Sequence, residues 1–177
     1  MIIMINGAYG AGKTTIANEL LNIIDNSMIF DPEAVGYMLR HIITDEIKLP
    51  EEKTDNFQDI GIWKVLVVET AKNIKLQYNK NLIVPMTIFN KEYYQYILNG
   101  FKKIDEATHH FCLIATEETI CERLRNRGEA ERNWCFLQTK KCVQAFQDEC
   151  FEKRIITDDL NIQDIIKRIS SELLLHS

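Results

Sequence analysis

With 177 residues, 46% of them hydrophobic and 27% charged, the chain has the size and balance of one globular domain, residues 1–177, with a core of its own. A net charge of −5 and a pI near 5.4 exclude a general attraction to nucleic acid. The apolar opening Met1–Ile5 is too short for a secretory signal, and no stretch reaches the roughly 20 apolar residues of a membrane span, so a cytoplasmic location with no transmembrane segment is expected.

Ile2-Ile3-Met4-Ile5 is a continuous apolar run, the pattern of a central strand buried on both faces. A glycine-rich segment follows, and then Ile16, Ala17, Leu20, Leu21, Ile23 and Ile24 recur at helical spacing up to Asp25-Asn26. Met28-Ile29-Phe30 is a second short strand, stopped at Asp31-Pro32, and the spacing predicts a helix over 33–43 with Val35, Met38, Leu39 and Ile42 on one side. Residues 44–56 are polar, acidic and broken by Pro50, a loop. A longer helix is predicted over 59–78, a third strand at Leu82-Ile83-Val84 ended by Pro85, and a helix from Glu92 to Phe101 ended at Gly100.

Phe111-Cys112-Leu113-Ile114 is a fourth strand, and Thr116 caps a helix whose first turn carries Glu117 and Glu118. That helix reaches Arg127-Gly128, where Glu129–Asn133 makes a charged break before a helix from Trp134 to Phe146. Arg154-Ile155-Ile156 is a fifth strand, and Asn161 opens a last helix to about Leu175 with an apolar stripe on Ile162, Ile165, Ile166, Ile169 and Leu173. Short strands alternating with helices, without repeats, predict a doubly wound α/β fold with a mostly parallel sheet. The five cysteines (Cys112, Cys121, Cys135, Cys142 and Cys150) include no Cys-x-x-Cys pair and are expected as reduced thiols. His109-His110 would face opposite ways in an extended strand and so cannot chelate together.

Gly7-Ala8-Tyr9-Gly10-Ala11-Gly12-Lys13-Thr14 fits the spacing G-x-x-x-x-G-K-[ST] and stands between a buried strand and a helix, where the motif has its mechanism. The glycines let successive N–H groups turn inward as a nest for phosphate oxygens, and the helix N-terminus adds its dipole. Lys13 is expected on the β- and γ-phosphates of ATP, the Thr14 hydroxyl on Mg²⁺, and Thr15 in the same phosphate-binding turn.

Asp31 ends the second strand, at the edge where open α/β sheets bind ligands. A carboxylate there takes a proton from an attacking hydroxyl or holds a metal-bound water, a role Glu33 can share; equally, Asp31 caps the helix that follows. Arg123 and Arg127, four apart, share a helix face and can reach one transferring phosphoryl group; with Arg125 and Arg132 they also fit a solvated face paired to Glu129 and Glu131. Tyr37, Arg40 and Trp63 fall in the segments that should cover a second substrate, Arg40 for an acidic group and the aromatics for a ring, although Trp63 also suits a core position.

Taken together, the phosphate loop, Asp31-Pro32-Glu33, Leu82–Thr87, His109-His110-Phe111, Glu122–Arg127 and Thr157–Asp164 resemble the nucleoside-monophosphate-kinase-like P-loop phosphotransferases, and more closely the ATP-binding tunicamycin-resistance proteins of bacteria. The resemblance spans nearly the whole chain. It implies a three-layer P-loop NTPase fold with a five-stranded parallel sheet, helices on both faces, and a small helical lid at about 123–135 carrying Arg123 and Arg127. It also implies ATP and Mg²⁺ as ligands and a role in resistance to tunicamycin, a nucleoside antibiotic. The wider kinase group often ends its third strand in an acidic residue; here Val84 is followed by Pro85-Met86-Thr87. Two functions are therefore expected in competition: a kinase moving the γ-phosphate of ATP to a small-molecule hydroxyl, and an ATP-dependent protein that sequesters tunicamycin or a related ligand unmodified. A GTPase switch is excluded, because Asn79-Lys80-Asn81-Leu82 and Asn90-Lys91-Glu92-Tyr93 lack the Asp of a guanine-reading Asn-Lys-x-Asp.

Overall fold

Residues 1–130 and 133–174 are described by a computed structural model. The first apolar run forms β1 (Ile2–Gly7), followed by α1 (Lys13–Ile23), β2 (Ser27–Ile29), α2 (Pro32–Ile42), α3 (Trp63–Tyr78), β3 (Asn81–Met86) and α4 (Lys91–Ile104). Then come β4 (Thr108–Ile114), α5 (Glu117–Asn126), α6 (Trp134–Ala145), β5 (Arg154–Ile156) and α7 (Ile162–Leu174). The expected five-stranded sheet is present and its pairs are all parallel, in the order β2-β3-β1-β4-β5.

β1 is central because every one of its residues is buried, the condition for a strand covered by helices on both faces. Its chain neighbours lie on opposite sides: β2 and β3 to one side, β4 and β5 to the other. Right-handed crossovers then put α1 and α7, which pack on each other, on one face and the α3–α4 pair on the other. The carboxyl end of β1 is thus the switch point of the sheet, where ligands bind in such folds.

Several local expectations change. Pro85 does not end β3: it pairs with Ile5 of β1 and the strand continues to Met86. The Ile83 carbonyl accepts from Phe30 N–H (2.9 Å), so residue 83 faces β2 and Pro85, two further on, faces the same side. Pairing with β2 stops at Ile29–Ile83, so the N–H that proline lacks has no strand to meet. In α2 the buried face is Val35, Gly36 and Leu39, whereas Met38 and Ile42 are 45% and 59% exposed. Gly36 turns that face, because a Cβ there would stand 2.2 Å from the Phe57 ring. Residues 44–62 carry two short 3-10 turns, Pro50–Glu52 and Phe57–Asp59, and α3 starts only at Trp63. Leu175, the expected end of α7, lies outside the described residues.

Nor does Gly100 end a helix; α4 runs through it. A Cβ at Gly100 would come within 2.6 and 2.7 Å of the Val68 methyls of α3, and a helical valine has one strongly preferred rotamer with which to yield. Gly100→Ala is therefore expected to lower unfolding free energy by about 1–2 kcal/mol, the overpacking cost less the helix propensity gained. Denaturant titration reads it; an unchanged or raised midpoint would show that α3 and α4 separate freely.

The two histidines both fall within β4. His110 is buried against Tyr94, whose hydroxyl lies 3.1 Å from Nδ1, and burial pushes its imidazole down to about 3. No group of three or more His, Cys, Asp or Glu is arranged to hold a metal among the described residues. The cysteines among them are free thiols. No helix among these residues is long and apolar enough to cross a membrane.

Candidate functional site

The loop between β1 and α1 takes its shape from glycines with positive φ: Gly7 at 152°, Gly10 at 82° and Gly12 at 94°. A Cβ on Gly7 would meet the Leu113 carbonyl at 2.8 Å, so a side chain is excluded there by contact as well as by conformation. Gly12 caps α1 with no side-chain hydrogen bond, and the first turn of α1 has no acidic residue. Its leading N–H groups are therefore left for an anion. Lys13 Nζ donates to the Ala8 carbonyl across the loop (2.8 Å) and lies 5.7 Å from the Tyr9 ring centre. Burial lowers the Lys13 ammonium to about 8, against the pull of Glu33. Burial likewise pushes the Tyr9 phenol up to about 12.

Two cavities open onto this loop. One, of about 1310 Å³, is lined by Glu33, Tyr37, Arg40, Phe57, Thr87 and Trp134 together with polar residues from the 45–56 segment. The other, of about 550 Å³, runs along Gly12, Thr15 and Ile16 to Arg123, Asn126 and the Leu160–Ile165 stretch. Gly10, Lys13, Thr14 and Arg127 line both. The two spaces therefore meet at the lysine, hydroxyl and arginine at the mouth of the phosphate loop.

The carboxylates after β2 are placed differently from each other. Asp31 caps α2, accepting from Glu33 N–H (2.9 Å), and lines neither cavity. Glu33, in the first turn of the helix, lines the larger cavity. Burial holds its carboxyl above the ordinary range, Asp31 pushes the same way, and Lys13 opposes them. Of the residues expected around a second substrate, Tyr37 and Arg40 line the larger cavity. Arg40 donates to the Asp55 carbonyl and lies over the Phe57 ring (5.5 Å). Trp63 does not reach it: the residue is 1% exposed, its indole N–H donates to the Pro32 carbonyl (3.1 Å), and its ring packs on Phe57 at 5.7 Å. It is a core residue that props a cavity wall.

The arginines also separate. Arg123 is fastened to the loop after β5, donating to Thr157 Oγ1 (3.0 Å) and to the Thr157 carbonyl (2.6 Å). Arg127 caps α5, pairs with Glu129 (2.7 Å), and lines both cavities. Arg125 points its guanidinium over Phe136 at 6.0 Å, and Arg132 lies outside the described residues. The larger cavity also contains residues without a sequence signal: Phe57, Thr87 and Trp134 come from three separate segments that only the tertiary fold brings together.

A family model described as AAA domain matches residues 3–142. The chain belongs to the AAA domain family. The tunicamycin resistance protein of Deinococcus radiodurans superposes with a TM-score of 0.78 at 27% identity, over 97% of this chain and 94% of that one. A sugar kinase from a Janibacter species gives 0.67 at 16% identity, over 96% and 92% of the two chains. A shikimate kinase from Acinetobacter baumannii, solved with shikimate, gives 0.65 at 14%, over 99% and 94%. The last two share the fold; the first places this AAA-domain chain beside the tunicamycin-resistance proteins in the kinase-like P-loop group. No curated protein sequence matches the chain.

Proposed function

We propose that this protein is an ATP-dependent small-molecule kinase and that, like its D. radiodurans relative, it serves in tunicamycin resistance. The observation that carries the proposal is the pair of cavities sharing Gly10, Lys13, Thr14 and Arg127. A donor and an acceptor in separate pockets that meet over one phosphate-binding loop are the arrangement in-line transfer requires.

In this reading the nucleotide lies along the smaller cavity, its phosphates on residues 7–15 with Lys13 on the β- and γ-oxygens. The acceptor lies in the larger cavity. Its hydroxyl oxygen attacks the γ-phosphorus, the bond to the β-phosphate bridging oxygen breaks, ADP leaves, and the hydroxyl proton passes to Glu33. Arg127, facing both cavities, neutralises charge on the transferring group, while Arg123 holds the wall against Thr157. Mg²⁺, held by Thr14, would supply further charge neutralisation; with no acidic cluster among the described residues, the ion would arrive with the phosphates. Asp31, a second carboxylate at this edge, assists by keeping Glu33 basic rather than by touching the metal. Residues 1–177 act as one domain in this scheme, with the Arg123–Cys135 region as its lid.

The test is incubation of the purified protein with γ-labelled ATP, Mg²⁺ and a panel of tunicamycin, nucleosides and aminoglycosides. Label is expected on one hydroxyl-bearing acceptor, dependent on Mg²⁺. Binding of tunicamycin without transfer to any acceptor would overturn the kinase in favour of sequestration.

A further inference from the structure

Buried hydroxyls are almost always hydrogen-bonded, and one that is not asks for a partner from outside the chain. Thr87 is such a residue. It is 2% exposed, its Oγ1 has no hydrogen-bond partner among the described residues, and it lines the larger cavity together with Lys13, Thr14 and Glu33.

The backbone around it is fixed with unusual completeness. The Thr87 carbonyl accepts from the buried Gln58 Nε2 (2.8 Å). The next residue is clamped by Asn6: Ile88 N–H donates to Asn6 Oδ1 (2.9 Å), and Asn6 Nδ2 donates back to the Ile88 carbonyl (2.9 Å). The same Asn6 Oδ1 accepts from Gly7 N–H (2.9 Å), the first residue of the phosphate loop. One amide thus ties the segment holding Thr87 to the loop that would hold the donor. Held backbone with a free side-chain hydroxyl is the pattern of a preorganised binding group rather than of a structural one.

We propose that Thr87 Oγ1 is an acceptor-binding group: it hydrogen-bonds the hydroxyl-bearing end of the molecule in the larger cavity, at a distance from the phosphate loop set by Asn6. This deepens the kinase reading above and rests on it for the identity of the occupant. Because no described residue pairs with the hydroxyl, it lowers stability in the ligand-free protein and is useful when the cavity is filled.

Thr87→Val keeps the shape and removes the hydroxyl; Thr87→Ser keeps the hydroxyl. The experiment measures melting of both variants and of the unaltered protein, alone and with MgADP. It also measures ADP release from MgATP with each member of the tunicamycin, nucleoside and aminoglycoside panel as acceptor, above the release with water alone. Expected are a higher melting temperature for ligand-free Thr87→Val, the same MgADP-induced shift in all three proteins, and ADP release lowered tenfold or more in Thr87→Val but retained in Thr87→Ser. A lower melting temperature for Thr87→Val, which would mean that the hydroxyl is structural, or unchanged ADP release, overturns the inference. If the unaltered protein binds MgADP but no member of that panel raises ADP release from MgATP, the kinase reading fails by itself. The inference about Thr87 is then decided by the melting comparison.

Discussion

Glu33→Gln is expected to lower turnover by about 10²–10⁴-fold, the usual contribution of a positioned general base, while nucleotide binding persists. The reason is geometric before it is electrostatic: Glu33 lines the cavity with Lys13 and Thr14. Its carboxyl is raised by burial and by Asp31, which brings it nearer the strength a base needs at neutral pH. Asp31→Asn should leave turnover within about tenfold, because asparagine serves almost equally well at an N-cap. Steady-state kinetics on the two variants decide between the carboxylates. If Asp31→Asn loses activity and Glu33→Gln keeps it, the base is Asp31 and the cavity wall must rearrange to expose it.

Lys13→Met is expected to reduce kcat/KM by about 10²–10³, comparable with removal of one preorganised charge-stabilising donor. It should also raise the stability of the free protein at pH 7. The Lys13 ammonium is lowered to about 8, first by burial, so the folded chain binds this proton less well than the unfolded chain does. Below pH 8 both states are protonated and the folded state carries the full cost of the buried charge. As pH rises from about 8 toward the ordinary lysine range, the folded state sheds the proton first and stability is regained. The gap in melting temperature between Lys13→Met and the unaltered protein should therefore close over that window. The same two groups set the pH dependence of kcat/KM for ATP: activity falls as Glu33 protonates on the acid side and as Lys13 deprotonates above about 8. A profile flat to pH 9.5 would remove Lys13 from phosphate binding in the free enzyme.

The phosphate loop was legible because its chemistry is local: Gly7, Gly10 and Gly12 must take positive φ, and only glycine does so freely. β1, β5 and the caps at Thr116 and Asn161 were legible for a similar reason, since apolar runs and side-chain-to-backbone bonds act over a few residues. Pro85 and Gly100 misled for the opposite reason. Each was read as a breaker, yet its role depends on a distant neighbour, the end of β2 in one case and Val68 of α3 in the other. The larger cavity was the least legible part. Trp63 and Phe57 are both aromatic and close in sequence, and only packing decides that one fills the core while the other faces the cavity. Asp31 and Glu33 illustrate the same limit at two residues' separation, where a capping bond turns one carboxylate to the helix and the other toward the lysine.

The common floor of the two cavities has a pharmacological consequence. Because Gly10, Lys13, Thr14 and Arg127 belong to both spaces, the proposed function predicts that a single compound joining an adenosine oligophosphate to an acceptor fragment occupies both. Tethering makes the second contact intramolecular, so affinity rises far above that of either half. Such a compound would also select among P-loop proteins, since its nucleotide half meets a loop shared by many of them, whereas its other half meets walls formed by Tyr37, Phe57 and Trp134 of this chain.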